Sequence, residues 1–70
     1  MWRNGTIEGC EYWVKNYDEP SVYGINEGRI SKLTVTRDGC EIISYDRGWD
    51  QEPQTDEDRE ILDAILKKYN

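Results

Sequence analysis

The sequence has no histidine and no phenylalanine, only two cysteines and two prolines, and nine basic residues against fifteen acidic ones in 70 positions. Each shortage removes a class of function. Without histidine, a general base near neutral pH must be a buried carboxylate or a thiolate, and a chain this short buries only about 60% of its unfolded surface. The nearest carboxylate pairs fall in loops or on the charged side of a helix, so the reading is of a protein that is not an enzyme. Two cysteines without histidine are too few for a zinc site. Asp46, Asp50 and Glu52 lack the spacing of a calcium loop, so neither a metal nor a cofactor is expected. The six glycines never gather into a phosphate cradle and read as turns. No window approaches the ~18 apolar residues of a membrane span, and no basic region leads into an apolar stretch near residue 1. The expectation is one soluble cytoplasmic domain over residues 1–70, away from membranes.

The shortage of bases is local. Residues 1–45 carry seven acids and five bases, whereas Asp46 to Asp63 carry eight acids (Asp46, Asp50, Glu52, Asp56, Glu57, Asp58, Glu60, Asp63) against Arg47 and Arg59. An acidic chain releases few counterions from a phosphate backbone, so direct nucleic-acid binding is not expected and a basic protein surface is the easier partner.

The aromatic and β-branched residues that are present fall into two hairpins. The first runs through Gly5-Thr6-Ile7, turns at Glu8-Gly9 and returns over Cys10 to Tyr17. The second runs from Ile30 to Arg37, turns at Asp38-Gly39 and returns over Cys40 to Tyr45; a two-residue turn there sets Val35 opposite Ile42, Thr34 opposite Ile43 and Lys32 opposite Tyr45. After Pro53 the period changes. Thr55 caps a helix with Asp58 three residues on, and Ile61, Leu62, Ile65, Leu66 and Tyr69 form one apolar stripe. The fold class is therefore α+β: a small antiparallel sheet of about four strands packed against one C-terminal helix.

Strand parity assigns the two faces of that sheet. Ile7, Tyr12, Val14, Leu33, Val35 and Ile42 face the helix; Trp13, Lys15, Tyr17, Lys32, Thr34, Ile43 and Tyr45 point the other way. One helix cannot cover both faces. Either the long 18–28 connection folds over the second face, or that face stays open as an aromatic patch able to bind a ligand or a second copy of the chain. Trp49 is placed to plug the edge where sheet meets helix. Cys10 and Cys40 each head the second strand of a hairpin, about 10 Å apart if a third strand separates them, too far for a disulfide, so both are read as free, core-facing thiols.

With Gly28-Arg29-Ile30-Ser31-Lys32-Leu33, Tyr45-Asp46-Arg47-Gly48-Trp49-Asp50 and Lys68-Tyr69-Asn70 in view, the chain resembles short proteins encoded by phages and prophages of Gram-positive bacteria. That resemblance carries over no catalytic or binding residue. What it implies is a setting in which small acidic proteins act by binding inside an infected or lysogenic host. The leading expectation is a stoichiometric inhibitor of a host defence system, anti-CRISPR-like, whose acidic segment (Asp46, Asp50, Glu52, Asp56, Glu57, Asp58, Glu60, Asp63) docks on the basic surface of a nucleic-acid-binding effector. The alternative is a homo-oligomer, a homodimer at its simplest, whose aromatic face (Trp13, Lys15, Tyr17, Lys32, Tyr45, Arg47) holds a nucleotide signal. A structural partner within phage particles is a third class.

Overall fold

The computed structural model describes residues 2–70. Five strands, β1 (Trp2–Ile7), β2 (Cys10–Asn16), β3 (Ile30–Arg37), β4 (Cys40–Asp46) and β5 (Trp49–Gln51), form one antiparallel sheet in chain order, and helix α1 (Asp56–Tyr69) packs on one face. The two hairpin turns are set by their sequences. Both central residues have positive φ in each, 48° and 79° at Glu8 and Gly9, 53° and 79° at Asp38 and Gly39, the backbone twist that suits a right-handed strand pair.

The helix follows its sequence signals. Thr55 Oγ1 accepts the backbone N–H of Asp58 at 3.1 Å, three acids occupy the first turn, and Lys67 and Lys68 occupy the last. Ile61, Leu62 and Ile65 are buried, with Leu66 and Tyr69 half-buried against the same core. That core is completed from the sheet by Cys10, Tyr12, Val14, Ile30, Leu33, Val35, Ile43 and Tyr45.

The structure differs from the sequence reading in four places. The sheet has five strands, because Trp49–Gln51 pairs with β4, and β1 begins at Trp2. The register of β4 is the second difference. Arg37 pairs with Cys40 and Thr36 with Glu41, but Val35 then pairs with Ile43 and Leu33 with Tyr45, leaving Ile42 as the extra residue of a bulge. One extra residue reverses parity beyond it, so Ile43 and Tyr45 turn into the core and Ser44 and Asp46 take their places on the other face. Third, Cys10 and Cys40 are both unbridged and pair on either side of Arg37, but only Cys10 is buried; Cys40 is exposed at the turn end, where the first helical turn supplies Asp56 and Glu57 and no apolar side chain. Fourth, Trp49 closes the edge where sheet meets helix only in part: it lines that edge with Ile25, Leu62 and Leu66, its ring edge-on to Tyr45 at 5.0 Å, but remains 38% exposed.

The 18–28 connection settles on the helix side. Ile25 is buried in the core, and the Tyr45 hydroxyl donates to Tyr23 O at 2.7 Å. Asn70 ties this loop to the sheet: its Oδ1 accepts Ile30 N–H at 3.0 Å and its Nδ2 donates to Ile25 O at 3.1 Å. A Cβ on Gly28 would collide with the Asn70 amide, so a side chain there would displace it from these hydrogen bonds. Gly28-Arg29-Ile30 and Asn70, distant in sequence, are thus one knot.

Candidate functional site

With the loop on the helix side, the second sheet face is open. Trp13 stands at its centre, 40% exposed, opposite Asn4 on β1 and Thr34 on β3. Two residues along β2, Lys15 lies opposite Trp2 on one side and Lys32 on the other. Trp2 (57% exposed) was not among the expected site residues, because the first strand was read only over Gly5-Thr6-Ile7; its neighbour Arg3 pairs with Val14, so the alternation places Trp2 on the Trp13 face. The Lys15 ammonium lies 5.9 Å from the Trp2 ring centre and 5.6 Å from that of Tyr17, within cation–π range of both.

Tyr17 just outlasts β2, and its N–H donates to Arg29 O at 3.0 Å. Its phenol is held below the ordinary tyrosine value, first by its interaction with Lys15, with Ser31 and the Arg47 charge acting the same way and burial opposing them. Arg47 is brought to this end by its own N–H, which donates to Ser31 O at 3.0 Å. Two lysines directly opposed on neighbouring strands repel each other. Asp46 approaches Lys32 at 3.9 Å, with both side chains substantially exposed, so it relieves this repulsion only weakly. Of the expected aromatic-face residues, the structure gathers Trp13, Lys15, Tyr17, Lys32 and Arg47. Tyr45 is removed to the core, where burial raises its phenol above the ordinary value.

The acidic segment is not one surface. Asp58 is buried and pairs with Arg37 Nη2 at 2.9 Å, an ion pair without hydrogen-bond alignment, and Glu57 accepts from the same nitrogen at 3.3 Å. Asp58 in turn raises the Arg37 value. Asp46 belongs to the open face. Asp50, Glu52, Asp56, Glu60 and Asp63 remain exposed, without an ion-pair partner among the described residues. No group of His, Cys, Asp and Glu able to hold a metal occurs among those residues, and no helix among them is long and apolar enough to cross a membrane.

Antiparallel order also sorts charge lengthwise. The Glu8-Gly9 and Asp38-Gly39 turns share one end with the acidic first turn of α1. Arg3, Lys15, Arg29, Lys32, Arg47, Lys67 and Lys68 gather at the other, with Asp18, Glu27 and Asp46 among them. A family model described as a domain of unknown function, DUF7678, matches residues 1–70. The chain belongs to that family. No curated protein and no solved structure matches it. Membership adds no site residue, so the chemistry of the open face has to be argued from its own side chains.

Proposed function

We propose that this protein is a non-enzymatic, stoichiometric binding module whose open sheet face receives a nucleotide. The observation that carries the reading is the composition of that face towards its basic end: two exposed tryptophans, an exposed tyrosine and two opposed lysines, uncovered by loop or helix. Rings of this kind stack a base at about 1–3 kcal/mol each, and an anion placed between Lys15 and Lys32 relieves their repulsion. A long nucleic acid suits the surface less well, since the opposite end of the molecule is acidic and would repel a polyanion running past it. Nucleotide monophosphate titrated into the protein at low salt should quench tryptophan fluorescence saturably, and Trp13→Ala or Lys15→Gln should weaken binding at least fivefold. A solution mass of two chains that nucleotide leaves unchanged, with no quenching, would assign the face to a second copy and overturn the reading.

A second reading has its own observation. The exposed Asp50, Glu52, Asp56, Glu60 and Asp63 can meet a basic groove, as a phage-type inhibitor of a cytoplasmic host defence effector would require. Reversing Asp56, Glu60 and Asp63 leaves the Arg37 pairs intact. It should slow association with such a partner severalfold at low salt, and an unchanged rate would remove this reading.

A further inference from the structure

Next to the open face, at the basic end, lies a cleft of about 320 Å³. Arg3 from β1, Asn16 from the end of β2 with Tyr17 and Asp18 just after it, Arg29 just before β3 and Lys68 and Tyr69 from the end of α1 line it. Three cations around one small opening are unusual in a chain of net charge −6, and among the described residues none of the three is in an ion pair. The C-terminal end of α1 sets only a partial negative charge, about half a unit, against them. Tyr69 O accepts from Asn16 Nδ2 at 3.3 Å and Asn70 O from Arg29 Nε at 3.3 Å, so both oxygens are already hydrogen-bonded, and Arg29 is fixed in place with its Nη groups left as donors. Tyr17 belongs to both places: it lines the cleft, and its ring centre lies 5.6 Å from the Lys15 ammonium of the open face.

We infer that this cleft is an anion site for a phosphate chain, with Arg3, Arg29 and Lys68 as its donors and Tyr17 as the wall it shares with the aromatic face. Arginine forks bind phosphate oxygens bidentately, and a flexible lysine supplies a point charge beside them. The charge of the lining, three cations against Asp18, suits a diphosphate better than a monophosphate. The inference deepens the nucleotide reading by naming where phosphates beyond the first would lie. It rests on that reading only for the ring, because the cleft can be tested with an anion that has none.

The test is titration of inorganic pyrophosphate into labelled protein at low salt, followed by amide NMR shifts. Saturable shifts are expected at Arg3, Tyr17, Arg29 and Lys68, with inorganic phosphate binding at least fivefold more weakly. Arg3→Gln and Lys68→Gln should each weaken pyrophosphate about tenfold, the scale of one charge-assisted hydrogen bond, while Trp13→Ala leaves it within about twofold. Both substituted side chains are exposed, and neither holds the Asn70 knot, so the fold survives. Absence of saturation by 10 mM, or equal affinity in the Arg3 and Lys68 variants, overturns the site. If pyrophosphate binds as expected and a nucleoside diphosphate binds no more tightly, the cleft stands and the nucleotide reading of the face falls.

Discussion

The two faces of the sheet are cut from the same strands by the same alternation, yet they have opposite fates. One is consumed by α1 and Ile25, so that Val14, Ile30, Leu33, Val35 and Ile43 are almost wholly buried; the other leaves Trp2, Trp13 and Tyr17 at 40% exposure or more. A 70-residue chain has one helix to spend, and it covers one face. Aromatic rings are costly to leave in water, and their presence on the uncovered side beside two opposed lysines is what supports the proposal of a binding surface there. On the proposed nucleotide reading, a residue on the first face is answerable to stability, and one on the second to binding.

The largest way to break that division is truncation across it. Ile61→Ala or Ile65→Ala should cost about 2–5 kcal/mol, whereas Trp13→Ala on the open face should cost about 1 kcal/mol or less; denaturant titration of the three variants decides it. A Trp13 cost equal to that of Ile61 would mean that the open face is structural.

A smaller effect is expected where loop and helix end meet. Asn70→Ala removes both hydrogen bonds of the amide, to Ile30 N–H and Ile25 O, and should cost about 1–3 kcal/mol. Hydrogen exchange should accelerate first over residues 21–30, because the loop is held on the helix side by this side chain and by Tyr45. Uniform acceleration over the whole sheet would show that the loop is not a separate unit.

The smallest effect separates the faces by titration. Tyr12, which shares a 2.8 Å hydrogen bond with Tyr69, is raised above the ordinary 10.0 by that bond and by burial, and Tyr45 is raised by burial alone. Their neutral forms are favoured in the folded state, so their contribution is complete below pH 10 and is lost as pH rises through their raised values. Tyr17 runs the other way. Lys15 favours its phenolate, so it should ionise before Tyr12 and Tyr45 in an ultraviolet titration, and Lys15→Gln should delay it. Tyr17 ionising together with the core tyrosines would contradict the placement of Lys15.

Much of this division is legible in the sequence. The two turns, the helix cap and the 61/62/65/66/69 stripe are local features, and each is where its residues put it. The register of β4 was not legible from the turn alone, because Ile42 and Ile43 are both apolar and either can face the helix. A signal existed further on: Ser44 and Asp46 alternate against Ile43 and Tyr45, which puts Ile43 and Tyr45 on the buried face, the parity that only a bulge reconciles with an Asp38-Gly39 turn. Trp2 and β5 were missed for another reason. An edge pairing of three residues, or the first residues of a strand, carries too few alternations to be read. The basic cleft draws its cations from residues 3, 29 and 68, which no spacing rule connects and which come together only through the strand order and the packing of α1 on the sheet.

The most direct test of the proposed nucleotide face is an amide NMR map of the protein with a nucleotide monophosphate at low salt. The account predicts shifts confined to Trp2, Trp13, Lys15, Tyr17, Lys32 and their cross-strand neighbours, with the exposed side of α1 unchanged. Shifts confined to Asp56, Glu60 and Asp63, or none at saturating nucleotide, would contradict it.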